Sequence, residues 1–206
     1  MKNANDINFN KKFDDFVRGY TSNLMNCFSN EMNHKIFYLA KCLGEVWKSG
    51  NNVFLCGNGG SAGNAIHIAN DFIYGVGNCG KGYKIPGIRV SALSANPAIL
   101  TCLGNDIGFE NIFSYQLKVQ AKKNDLLIAL SGSGNSPNVI SAINTANQIG
   151  LKTFAILAFD GGKCNDIANY PLHFNIDDMQ IAEDLQLIIG HLCMQWLSNN
   201  KSEFFG

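Results

Sequence analysis

Two stretches of this 206-residue chain gather hydroxyls and unhindered backbone amides: Gly57-Asn58-Gly59-Gly60-Ser61 and Ser131-Gly132-Ser133-Gly134-Asn135-Ser136-Pro137. Each follows a short apolar run and precedes a helical pattern, so several N–H groups and a Ser hydroxyl fall at a helix N-terminus, which suits an anion. Neutral donors of this kind can hold a phosphate without any Lys or Arg. One such loop alone reads equally well as a tight turn with a Ser cap; two on one rim are much less expected by chance. Neither loop fits G-x-G-x-x-G or G-x-x-x-x-G-K-[ST], which disfavours dinucleotides and nucleoside triphosphates.

The second chemical signal lies in helical patterns. His67 and Asp71 stand at i and i+4, about 40° apart around the axis, and such a pair can hold a metal or flank a substrate. Near the C-terminal end, Glu183 and His191 are eight positions apart, about 80° around the axis, while Asp184 and His191 are about 20° apart. Periodicity alone therefore favours Asp184 as the partner of His191. A lone His on a helix is more often solvated or hydrogen-bonded than a ligand, and His34 and His173 are read that way.

Those residues need a frame. After Gly50, short apolar runs ending in Gly or polar loops alternate with helical patterns, as in an α/β domain with a parallel sheet. Strands are expected at Val53–Cys56, Ile88–Leu93, Leu126–Leu130, Thr153–Ala158 and Leu172–Ile176. Helices fall at Ala62–Tyr74, Pro97–Leu103, Asn111–Ala121, Pro137–Ile149, Cys164–Ala168 and Met179–Leu197. Right-handed crossovers put every strand's C-terminal end on one rim, where ligands bind in such folds. Before the first strand, apolar residues from Phe13 to Trp47 recur at helical spacing and predict two helices that pack within the subunit or against another. The expected division is a helical extension over 1–50 and a single α/β unit over 51–200. Gly75 to Gly87 has no evident element of its own and reads as a mobile loop.

Composition narrows the partners. Lys+Arg and Asp+Glu number 16 each, with no basic run, so neither nucleic acid nor an anionic membrane has support. The polar stretch from Met1 to Lys12 offers no signal peptide and no later run reaches a membrane span, so the expected location is cytoplasmic. Seven scattered cysteines without a C-x-x-C pair read as reduced thiols filling core positions.

Taken together, Gly57-Asn58-Gly59-Gly60-Ser61, Gly104-Asn105-Asp106 and Ser131-Gly132-Ser133-Gly134-Asn135-Ser136 resemble the sugar isomerase (SIS) domain of phosphoheptose isomerases, from about the second helix to the last. That resemblance implies a flavodoxin-like three-layer α/β sandwich with a five-stranded parallel sheet. It implies interconversion of sedoheptulose 7-phosphate with an aldoheptose 7-phosphate through an enediol, in a homotetramer whose pocket lies between subunits. It further implies a divalent metal, zinc first, on His67, Asp71, Glu183 and His191, with Asp71 and His191 as the catalytic pair. Substrate would be held by Asn58, Gly59, Gly60, Ser61, Asn105, Asp106, Ser131, Gly132, Ser133, Ser136 and Glu183. The chain departs from the family pattern at Asp71 and Asp184, where the family has Glu, and at Glu183, where it has Gln. Other occupations of the same fold are a non-catalytic phosphosugar regulator, a protein that binds the replication initiator, or an isomerase of another ketose phosphate.

Overall fold

The computed structural model describes residues 4–206, with side chains from residue 9. Five strands form one all-parallel sheet: β1 (Asn52–Cys56), β2 (Arg89–Ala92), β3 (Leu126–Ser131), β4 (Lys152–Leu157) and β5 (Tyr170–His173), in the order β2-β1-β3-β4-β5. The chain order reverses between β1 and β3, so the loops after those two strands diverge and leave a crevice at the switch point.

The central strands read as continuous apolar runs because helices cover both faces. Val53, Leu55, Leu126, Ile128, Leu130, Phe154 and Ile156 face one layer, formed by α2 (Asn30–Ser49), α3 (Gly60–Asn70) and α9 (Met179–Asn199). Their neighbours Phe54, Cys56, Leu127, Ala129, Ala155 and Leu157 face the other, built from α6 (Ser114–Gln120), α7 (Pro137–Ile149) and α8 (Gly162–Ile167). This period-two alternation fixes the strand register, since a slip of one residue would exchange the two layers.

The first helix, α1 (Ala4–Asn26), lies on the outside, whereas α2 buries Leu39, Leu43 and Val46 in the core. The structural break in the expected 1–50 extension is thus the turn before α2. The last strand begins two residues earlier than expected and includes Pro171, which an edge strand tolerates because one side of it forms no ladder. Helix α5 (Pro97–Ile107) runs one turn past the expected end and carries Asn105 and Asp106 in its final turn. A 3₁₀ turn, Phe109–Asn111, replaces the expected start of α6.

Of the segment Gly75 to Gly87, expected as a loop without an element of its own, the first residues are helical and the rest, from Cys79, follows an irregular path. A π-helical turn, Asp71–Gly75, and α4 (Val76–Asn78) continue α3 without a break in the helix. The return segment is then fastened: Ile88 N–H donates to the Phe72 carbonyl at 2.9 Å, Ile85 N–H to that of Gly77 at 3.3 Å, and Trp47 Nε1 to that of Pro86 at 2.9 Å. Lys201 Nζ and Ser198 Oγ both donate to the Cys79 carbonyl. Gly87 is required here, because a Cβ would collide with the Phe72 and Ile73 carbonyls. A π-turn leaves backbone carbonyls in need of a donor, and the glycine lets a second backbone come close enough to supply one.

All seven cysteines are free; Cys42, Cys56, Cys164 and Cys193 are buried, whereas Cys79 and Cys102 are exposed. No helix among the described residues is long and apolar enough to cross a membrane.

Candidate active site

Helices α3 and α9 run side by side in the same direction. Ser61 meets Gln186, Ile68 meets Gly190, Gly75 meets Met194, and Cys79 meets Ser198. One end of this pair carries the glycine-rich loops; the imidazoles stand further along, in the last turn of α3 and the middle of α9.

At the loop end, Asn58, Gly59, Gly60, Ser61, Ser131, Gly132, Ser133, Ser136 and Glu183 line a single cavity of about 270 Å³ with Leu130 and Met179. Gly59, with φ of 54°, lets the chain turn sharply from β1 into α3. The hydroxyl oxygen of Ser61 accepts from Gln186 Nε2 at 3.0 Å, that of Ser131 from Gly134 N–H at 3.1 Å, and that of Ser133 from Asn135 N–H at 3.3 Å. Each hydroxyl proton remains available to a ligand, which gives the cavity the donor character an anion needs. Larger cavities, of about 330 and 410 Å³ along α2 and about 400 Å³ between α5 (Pro97–Ile107) and α6, contain neither a glycine-rich loop nor an imidazole–carboxylate cluster at ligand spacing.

Three side chains that the sequence reading passed over hold this end together. The Asn58 and Asn138 amides form a reciprocal pair, 2.8 Å in each direction, that joins the first loop to α7. Asn64 Nδ2 donates to Gln186 Oε1 at 3.0 Å and to the Glu183 carbonyl at 3.0 Å. Asn138 and Gln186 are both 1% exposed, so the only competitors for these bonds are one another. No local pattern announces such pairs; their partners are 80 and 122 positions away.

Further along, His67 Nε2 lies 2.9 Å from His191 Nε2, so one ring donates and the other accepts. Asp71 Oδ2 stands 3.6 Å from His67 Nε2 and 3.5 Å from His191 Nε2. All three ligand atoms fall within 4.8 Å of one another. Two imidazoles and a carboxylate at this spacing fit a divalent ion of the zinc type with a coordination position left open.

Of the four residues implied as metal ligands, Glu183 is not brought to this cluster. It lies eight residues before His191, about 12 Å along α9, since each helical residue advances about 1.5 Å as well as turning about 100°. Its carboxylate instead fills the space beside Gly60 that a side chain there would occupy. Asp184, the residue that periodicity paired with His191, turns to α1 and accepts the Tyr20 hydroxyl, which holds that phenol's pKa up at about 12. Asn105 and Asp106 do not line the cavity within this chain. Asn105 Nδ2 donates to Asp106 Oδ1 at 2.8 Å, and the Asp106 carboxylate takes the Cys102 thiol at 3.5 Å. His173 is a hydrogen-bonded residue, 2.8 Å from the Phe159 carbonyl.

The chain is similar to known proteins. The family model described as SIS domain matches residues 18–158. Proteins named phosphoheptose isomerase are similar over most of their length: that of Aliarcobacter butzleri is 37% identical over 158 residues, covering 77% of this chain and 81% of its own. That of Chlorobaculum parvum is 35% identical over 179 residues, covering 85% and 83%. Among solved structures, phosphoheptose isomerases of Neisseria gonorrhoeae and Francisella tularensis superpose with TM-scores of 0.77 and 0.79 at 23% identity. They cover 90% and 91% of this chain and 98% and 96% of their own, and share its fold.

Proposed function

Because the chain belongs to the SIS-domain family and within it to the phosphoheptose isomerases, aldose–ketose isomerases of sugar phosphates, we propose that it interconverts sedoheptulose 7-phosphate and D-glycero-D-manno-heptose 7-phosphate, or the C2 epimer, by proton transfer through an enediol. The observation that carries this reading is the pairing of a donor-lined cavity with an imidazole–carboxylate cluster on one helix pair. From Gly60 to His67 the axis of α3 advances about 10 Å, the order of length that an extended seven-carbon chain with a terminal phosphate spans and a three-carbon one does not.

In this reading Ser61, Ser131, Ser133 and Ser136, with the amides of Gly59, Gly60 and Gly132, grip the phosphate. That grip spends binding energy far from the reacting carbons and turns it into positioning. The Asp71 carboxylate takes a proton from C1 of the ketose and returns it to C2 of the enediol, while His191 supplies a proton to the carbonyl oxygen and receives one back from the C1 hydroxyl as the aldehyde forms. A divalent ion, zinc first, would be held by His67, Asp71 and His191 and would supply Lewis-acid polarisation of the enediolate oxygens. An Nε2 on a metal has no lone pair for a proton, so metal loading and acid catalysis through that nitrogen exclude each other. Metal content of the purified protein decides between the two roles of His191.

The homotetramer fits the apolar stripe of Phe9, Phe13, Phe16 and Val17 that α1 leaves exposed. Light scattering is expected to give four chains of 22.5 kDa each. Asn105 and Asp106 would then be supplied to the sugar across a subunit boundary. Activity is tested by incubating the protein with sedoheptulose 7-phosphate and following the aldose by NMR. Turnover is expected from the wild type and not from His191→Ala; equal turnover by both would remove His191 from the chemistry.

A further inference from the structure

Ser61 lines the loop cavity, but what its hydroxyl offers a ligand is set by a side chain that does not line it. Gln186, on α9 and 1% exposed, donates from Nε2 to Ser61 Oγ at 3.0 Å. A side-chain amide turned over would exchange donor for acceptor with almost no change of shape. Here its direction is fixed by a relay that starts on the backbone. The Glu183 carbonyl accepts only, so it draws Nδ2 of Asn64, at 3.0 Å. The same nitrogen donates to Gln186 Oε1, also at 3.0 Å, which leaves Nε2 as the end of Gln186 that faces Ser61. Ser61 Oγ accepts that bond, and its own proton is left for the cavity.

The oxygens of a phosphate dianion only accept hydrogen bonds. With Gln186 reversed, Ser61 would give its proton to Oε1 and turn lone pairs toward the anion, replacing attraction by repulsion. Ser61 is itself only 5% exposed, so water offers it little alternative partner. We infer that Gln186 is a positioning residue, which together with Asn64 sets the direction of the Ser61 hydroxyl so that this wall of the cradle presents a proton to a phosphate. It acts through Ser61 and not by contact with the ligand. This rests on the isomerase reading and deepens it, because it names what orients one donor of the phosphate grip.

The test is a double-mutant cycle read by calorimetric titration of the full chain with sedoheptulose 7-phosphate. In the wild type, Ser61→Ala is expected to weaken binding by about tenfold or more, the loss of one charge-assisted hydrogen bond. In Gln186→Glu the ionised carboxylate accepts from both Asn64 and Ser61, so affinity falls by about tenfold, and adding Ser61→Ala then changes it by less than about twofold. Repulsion between the new carboxylate and the phosphate, or a general loosening of the loops, would leave the cost of Ser61→Ala in place. Asn64→Asp is the second variant, since its half-buried position tolerates a charge better than that of Gln186. Its carboxylate draws Nε2 of Gln186 and turns Oε1 to Ser61, with the same loss of the Ser61 effect expected. An undiminished cost of Ser61→Ala in either folded variant overturns the inference and leaves the isomerase reading standing, as does a Ser61→Ala substitution without cost in the wild type. Failure of the heptose phosphate to bind even the wild type overturns both.

Discussion

The two ends of the α3–α9 pair are built by different means. At the loop end, backbone amides and hydroxyls are locked by buried side-chain amides, Asn58 with Asn138 and Asn64 with Gln186. At the imidazole end, three side chains meet across two helices, and His67 and His191 stay partly exposed with contacts chiefly to each other and to Asp71. A rigid grip on an inert group and a looser cluster at the reacting carbons separate binding from chemistry. Substitutions at the two ends should therefore move different kinetic constants.

The largest effect is expected from Asp71→Asn. If Asp71 is the proposed general base, its loss should lower kcat by about 10²–10⁴-fold while calorimetry finds heptose phosphate affinity nearly unchanged. A loss confined to affinity would place Asp71 in binding and erase the contrast between the ends. Asn138→Leu attacks the other end. It leaves the half-buried Asn58 amide without its partner, which costs about 1 kcal/mol in stability, and it should raise KM with kcat largely kept. A fall in kcat alone would show that the loops take part in the chemistry.

Gly87→Ala probes the anchor of the turn that follows Asp71. Its Cβ collides with the Phe72 and Ile73 carbonyls in the π-turn that follows Asp71. Overpacking of this kind costs about 1–3 kcal/mol, and the displaced turn should lower kcat more than it changes KM. Thermal melts and steady-state kinetics on one preparation test both parts; unchanged kcat with a lowered Tm would limit the anchor to stability.

The smallest effect concerns Tyr20, whose phenol is held protonated up to about pH 12 by the Asp184 carboxylate. The unfolded chain releases that proton near pH 10, so between those values the folded state binds the extra proton and stability falls as pH rises. The bond's contribution is whole below about pH 10 and is lost toward pH 12. Tyr20→Phe should melt lower at neutral pH and lose less between pH 10 and 12 than the wild type. Parallel alkaline curves for the two proteins would deny the bond any part in joining α1 to α9.

How far each end could be read from the chain follows from the range of the interactions that make it. Gly57–Ser61 and Ser131–Ser136 announce themselves because turn chemistry and helix starts are local, and the strands because burial on both faces leaves unbroken apolar runs. His67 with Asp71 was legible for the same reason, four residues on one helix. Glu183 was legible in part: the resemblance put it among the residues lining the substrate cavity, where it lies, and among the metal ligands, a cluster it does not join. Asn138 and Gln186 look like ordinary helix residues until the tertiary fold presents their partners. The π-turn was not read from the sequence; its Phe72 carbonyl is served by Ile88 N–H, a partner 16 residues away that Gly87 lets approach.

The central claim is that one molecule spans both ends, its phosphate in the loops and its C1 and C2 at Asp71 and His191. Incubation with sedoheptulose 7-phosphate in D₂O, followed by NMR of the aldose, tests it directly. Deuterium at C2 of the product is predicted, with its incorporation lost in Asp71→Asn. Binding of the sugar phosphate without any deuterium entering C1 or C2 would contradict the account.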